Sequence, residues 1–156
     1  MAELEGAKDQ QIFISHGDCE EDALFVKQKL VEPDGDAHEI KNARSGLLRL
    51  TADGWVLEYD VVQDEEKAHI VLTMQPERGH VRMQRMGMVS SVLDFLPGEK
   101  IASRYVTVYG EIPVAVDTHS VEICMQEGGG ELRLHYDVYM GGERTSSARM
   151  EITWRV

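Results

Sequence analysis

Residues 54–74 run GWVLEYDVVQDEEKAHIVLTM. Trp55, Leu57, Tyr59 and Val61 share one parity, with Glu58 and Asp60 on the other. After an acidic break from Gln63 to Glu66 the rhythm resumes: Ala68, Ile70, Leu72 and Met74 alternate with Lys67, His69 and Thr73. Successive side chains of an extended chain point to opposite faces, so each half specifies a strand buried on one side only. Two such strands around a short polar break form an antiparallel hairpin.

The same alternation runs to the C-terminus. Ile112, Val114 and Val116 oppose Glu111 and Asp117, and Leu132, Leu134, Tyr136, Val138 and Met140 oppose Glu131, Arg133, His135 and Asp137. Ala148, Met150, Ile152 and Trp154 oppose Arg149, Glu151 and Arg155. Turn chemistry separates these runs at Ala52-Asp53-Gly54, Pro76 to Gly79, Pro97-Gly98, Gly128 to Gly130 and Gly141-Gly142. A strand and turn about every ten residues predicts an all-β meander, folded as an antiparallel sandwich or barrel.

The first third allows two readings. Asp18 to Leu30 fits a helix capped by Asp18, or an acidic lead-in to a strand carrying Leu24, Val26 and Leu30. The strand is favoured, because Pro33-Asp34-Gly35-Asp36 makes a turn into a second long strand from about His38 to Leu50. Residues 1–22 form an N-terminal extension, with a short helix or strand at Ile12 to Ser15, and 23–156 form the barrel domain.

At 156 residues and 42% hydrophobic content, the chain has the size and apolar mass of one domain. No apolar run approaches the roughly 18 residues of a membrane span, and Met1 to Gln11 lacks a secretory signal. Cys19 and Cys124 are isolated, which argues against an oxidising compartment and points to the cytoplasm. A net charge of −12 repels phosphate backbones and anionic lipid, which excludes nucleic acid and membrane as partners. A small-molecule ligand and a second copy of the chain remain.

Arg85-Met86-Gly87, Phe95-Leu96-Pro97-Gly98, the run from Tyr105 to Glu111, and Asp117-Thr118 occur in an order that resembles the YwiB-like family of small bacterial proteins. Gly129-Gly130-Glu131-Leu132 and Leu134-His135-Tyr136-Asp137 extend the likeness, which runs from about Phe25 to Val156. The resemblance implies an up-and-down lipocalin-like (calycin-type) β-barrel of about 8–10 strands, in a family of unknown function. Gly54-Trp55 departs from the Gly-x-Trp signature of secreted lipocalins, so the resemblance implies their fold and not their carrier function.

In a barrel the informative residues are polar ones with inward parity. Arg85 follows Val81 and Met83; Ser91 lies between Val89 and Leu93; Thr118 continues Val114 and Val116; Tyr59 and Tyr136 accompany Leu57 and Leu134. With Tyr105 these define a ligand-binding set of Arg85, Ser91, Tyr105, Thr118, Tyr59 and Tyr136, suited to a molecule with an acidic group and an apolar body. The bland alternatives stay open: Arg85 as a structural closure laid across Trp55 or Trp154, the hydroxyls bonded to neighbouring strands, and the tyrosines as core filler. No catalytic residue, metal site or cofactor is expected. His38, His69, His80, His119 and His135 lie on polar parities or beside turns, without the i, i+2 or i, i+4 pairs that aim two imidazoles at one ion. Ser90-Ser91 lacks a nucleophile elbow, and Gly128 to Gly130 lacks the helix of a phosphate loop. A filled barrel that dimerises or binds a protein through its outer face is the rival reading.

Overall fold

The computed structural model describes residues 25–31, 37–63 and 65–155. Among these residues there are eleven strands: β1 (Phe25–Val31), β2 (Ala37–Ser45), β3 (Leu47–Thr51), β4 (Gly54–Gln63), β5 (Glu66–Gln75), β6 (His80–Met86), β7 (Ser90–Phe95), β8 (Lys100–Thr107), β9 (Gly110–Gln126), β10 (Gly129–Met140) and β11 (Glu143–Arg155). The residues of the N-terminal extension and of the Pro33 to Asp36 turn lie outside those described. From Phe25 onward the strand reading of the first third is the one observed.

All eleven strands belong to one antiparallel sheet in the order β2-β1-β11-β10-β9-β8-β7-β6-β5-β4-β3. From β3 to β11 each strand pairs with its successor, and the β1–β2 hairpin adds to β11. The long strand expected from His38 to Leu50 is divided at Gly46 into β2 and β3, which lie at opposite edges of the sheet. Because β2 also lies against β4, this one bent stretch of chain draws the two edges together into a β-barrel. Its division is one reason the strand count exceeds the number suggested by turn spacing.

The inward parities of β4 to β7, β10 and β11 are those read from the alternation. Leu57, Leu72, Met74, Val81, Phe95, Val116, Leu132 and Ile152 have no exposed surface, so no water-sized void borders them. Two extra residues bend the long strands. The β9–β10 register steps from Ser120 to Thr118, leaving His119 as a bulge, and the β10–β11 register steps over Thr145 in the same way. The expected Gly128 to Gly130 turn is shorter than the glycine run: Gly129 and Gly130 already belong to β10. They serve close packing there, since a Cβ on Gly130 would meet Trp154 Cζ2 at 2.4 Å.

Candidate functional site

Cross-strand partners share a face, so the register assembles a polar row across the inner wall. Tyr59 of β4 lies opposite Ile70 of β5, Ile70 opposite Arg85 of β6, and Arg85 opposite Ser91 of β7. Ser91 lies opposite Tyr105 of β8, and Tyr105 opposite Ile112 of β9. Four of the six candidate residues therefore fall in one row, with Ile70 between Tyr59 and Arg85, although they are far apart in sequence. Tyr59 and Ser91 are buried, while Arg85 and Tyr105 are half-buried. Burial pushes the phenols of Tyr59 and Tyr105 up, and the positive charge of Arg85 partly offsets that rise at both.

Thr118 and Tyr136 belong to a different part of the interior. They pair with each other across β9 and β10, and the Tyr136 ring meets Phe95 edge-on at 4.9 Å. The Thr118 main chain is tied to the β7–β8 turn: Gly98 donates to its carbonyl at 2.9 Å, and its N–H donates to Glu99 at 3.2 Å. That turn is at the opposite end of β7 from Ser91.

Arg85 has no carboxylate within ion-pairing distance among the described residues. Neither tryptophan occupies its row: Trp55 aligns with Met74, Val81 and Phe95, and Trp154 aligns with Gly130. Asp94 is already committed, accepting from Arg82 Nε and His80 Nε2, both at 2.9 Å. Among the described residues Arg104 has only an exposed contact with Glu111 at 3.5 Å.

Beside Arg85 the wall is incomplete. β7 pairs with β6 from Ser91 to Phe95, but with β8 only at Ser90↔Val106 and Ser91↔Tyr105. Beyond that point an open crevice of about 620 Å³ lies along the seam. Arg85, Ser91 and Ser103 line it with inner parity; Gln84, Met86, Ser90, Val92, Asp94, Ala102, Arg104 and Val106 line it with outer parity. The Ser103 hydroxyl donates to the Val92 carbonyl, a side-chain bridge where a ladder bond would otherwise be. Inner and outer residues share one depression, so the seam links the outer surface to the row of Arg85.

The crevice residues on β8 were not singled out in the sequence. Their one signal is Pro113, which lies opposite Arg104 in β9 and has no N–H to donate. Such a residue tolerates a non-hydrogen-bonded pair, which turns the main-chain groups of Arg104 away from β9 and toward the seam.

Outside the seam, histidines gather acids in ways that chain spacing does not reveal. His69 contacts Asp60 at 2.8 Å and Glu58 at 3.0 Å, His119 contacts Asp137 at 3.0 Å, and the His119 and His135 rings stand 4.7 Å apart. Among the described residues no three metal-ligating side chains are placed to hold one metal ion, and no helix is long and apolar enough to cross a membrane.

The fold and much of the sequence have counterparts in known proteins. The uncharacterized β-barrel protein YwiB of Bacillus subtilis (strain 168) is 25% identical over 131 residues, covering 84% of this chain and 90% of that one. The crystal structure of the Bacillus subtilis ywiB protein superposes with a TM-score of 0.69 at 24% identity, over 85% of this chain and 89% of that one. Residues 26–152 match a family described as a domain of unknown function, DUF1934, and the chain belongs to that family.

Proposed function

We propose that this barrel binds, without transforming it, a small acidic amphipathic ligand at the β7–β8 seam. The observation that carries this reading is Arg85: a half-buried cation without a carboxylate partner among the described residues, at the wall of a crevice of about 620 Å³. Taking a guanidinium partly out of water is costly unless an anion answers it, and a bidentate carboxylate is its natural complement. The volume falls in the range of small-ligand sites. Ser91 and Tyr105 supply hydroxyls beside the charge, Tyr59 backs the row, and Met86, Val92 and Val106 offer apolar surface to the ligand's body. Thr118 and Tyr136, tied to the other end of β7, are left to packing.

Native mass spectrometry of the protein from its host, beside Arg85→Ala, tests this. A co-purifying acid lost in the variant is the expected result. Decanoate, titrated by calorimetry, provides a defined probe. Failure of the wild type to bind either, with Arg85→Ala folded and indistinguishable, would end the proposal.

A second reading has its own support. Val108 is 76% and Tyr109 97% exposed in the β8–β9 turn, and Met88 and Val89 of the β6–β7 turn lie at the same end of the barrel. Such an apolar rim fits a homodimer or a protein partner. Light scattering on the wild type and Tyr109→Ser distinguishes it: a dimer that the substitution dissolves would favour this use of the barrel end.

A further inference from the structure

We propose that the chain forms a two-fold homodimer in which the β8–β9 hairpin tip of each protomer, led by Tyr109, seats in the β7–β8 crevice of its partner. This rests on the dimer reading above and names the site that the rim engages. The Ser103 hydroxyl holds β7 and β8 together at the Val92 carbonyl, so the depression admits side chains and not a further strand. Arg85, Arg104 and the apolar side chains of Met86, Val92 and Val106 line it. Such a lining suits an apolar body with a negative group beside it, and the hairpin carries both. Tyr109 is 97% and Val108 76% exposed, and the exposed Glu111 carboxylate follows two residues on. The tip is held in shape: the Tyr109 N–H donates to the Thr107 hydroxyl at 3.1 Å, and that hydroxyl donates to the Gly110 carbonyl at 3.0 Å. An ordered tip with a two-torsion aromatic loses little freedom on docking. A tyrosine ring against guanidinium groups, with a carboxylate alongside, is attracted to them in a site partly shielded from water.

Knob and hole also lie side by side. Val106 walls the crevice three residues before Tyr109, and the Ser90↔Val106 pair brings the Met88–Val89 turn level with the same tip. A two-fold axis between tip and crevice therefore makes both insertions at once. Of the nine large apolar side chains exposed among the described residues, eight fall between Met86 and Ile112. The contact thus extends past Tyr109 toward the roughly 800 Å² per partner that a specific interface takes. Charge selects a second copy at this face. On a chain of net charge −12, residues 80–113 carry Arg82, Arg85, Lys100 and Arg104 against Asp94, Glu99 and Glu111, so two copies approach here without the repulsion of the remaining acids. A small acid and the partner's hairpin then compete for one crevice.

Sedimentation velocity on the full chain tests this with two variants: Tyr109→Ser, which removes the knob, and Ala102→Trp, which fills the crevice from an exposed position. The expected result is a wild-type dimer, each variant alone a monomer, and a heterodimer when the two are mixed. The knob of the Ala102→Trp chain still finds the open crevice of the Tyr109→Ser chain, and its formation shows both to be folded. With one insertion in place of two, the heterodimer should be at least about tenfold weaker than the wild-type dimer. Decanoate should shift the wild type toward monomer as its concentration rises. A dimer lost in Tyr109→Ser but kept in Ala102→Trp overturns the insertion and leaves the rim as the contact. Two monomeric variants that keep wild-type urea midpoints yet fail to complement each other overturn it as well, and so does decanoate that binds without dissociating the dimer. A wild type that is monomeric at every concentration overturns the insertion and the dimer reading together, and leaves the acid site to stand or fall on decanoate binding alone.

Discussion

The Asp60 and His69 side chains meet across β4 and β5 at 2.8 Å, on the outer face of the barrel directly above the buried Tyr59–Ile70 pair. Glu58 approaches the other ring nitrogen at 3.0 Å, so the imidazole is bracketed by two carboxylates. Hydrogen bonds to Asp60 and Glu58 hold His69 above its ordinary 6.5. Its hydrogen bond holds Asp60 below 3.8; burial pushes Glu58 up, but His69 and Arg49 outweigh it and leave it below 4.5. The raised histidine stabilises the fold fully below pH 6.5 and loses that contribution as pH rises through its folded value. The lowered carboxylates contribute above their ordinary values and lose that contribution as pH falls through their folded ones. Urea midpoints measured against pH should therefore fall on both sides of a mildly acidic plateau. In His69→Gln the decline just above pH 6.5 should shrink, and the acid limb should shrink only in part, because Asp60 loses the hydrogen bond that lowers it while Asp94 and Asp137 stay lowered by other partners. His69, Asp60 and Glu58 retain solvent contact, so the effect is modest.

Gly130 should tolerate no side chain. An alanine Cβ would lie 2.4 Å from Trp154 Cζ2, 2.7 Å from Cε2 and 2.9 Å from the Cys124 carbonyl. The indole is 1% exposed, so it has nowhere to retreat. Overpacking of this kind costs about 1–3 kcal/mol, and Gly130→Ala should show it as a reduced urea midpoint with unchanged slope. A variant as stable as the wild type would mean that the Trp154 ring can repack.

Why the inner wall was legible and the seam was not follows from what alternation encodes. A face is written in one strand at a time, so Leu57, Leu72 and Leu134 declared their burial directly. Arg85 and Ser91 could be assigned to the inside, and Tyr105 joined them only on the condition that it points in, but none could be assigned to another, because neighbourhood depends on register between strands. That same ignorance put Thr118 and Tyr136 in one site with Arg85, when the Gly98 and Glu99 bonds tie Thr118 to the other end of β7. The crevice is an interruption of pairing between two strands whose own patterns are intact, so only Pro113 hinted at it. Gly46 similarly concealed a break in a continuous polar–apolar stretch.

Arg85 should matter less to stability than to binding. Arg85→Met removes a half-buried charge that no carboxylate answers among the described residues and keeps an unbranched apolar stem in its place. Stability should stay level or rise by up to about 1 kcal/mol, the usual trade at a site held ready for a ligand. Decanoate binding should vanish in the same variant. A loss of more than about 2 kcal/mol on urea unfolding would instead identify Arg85 as a structural strut.

Thr118 allows the opposite kind of test, in a place proposed to have no binding role. The residue is 1% exposed, yet its hydroxyl oxygen has no hydrogen-bond partner among the described residues. A buried hydroxyl without a partner costs about 1–3 kcal/mol of desolvation, whereas valine fills the same shape without that cost. Thr118→Val should therefore raise stability by about 1 kcal/mol, which for a chain of this size is a shift of about 2–4 °C in Tm. Thr118→Ser keeps the hydroxyl and deletes the methyl, so it should lose about 0.8 kcal/mol or more, as for one buried carbon. If the two variants fall in the reverse order, the hydroxyl is satisfied, and Thr118 returns to the list of groups that a ligand or a further segment of the chain engages. If they fall as expected while decanoate affinity is untouched in both, the polar interior divides at β7 into a packing end and a binding end.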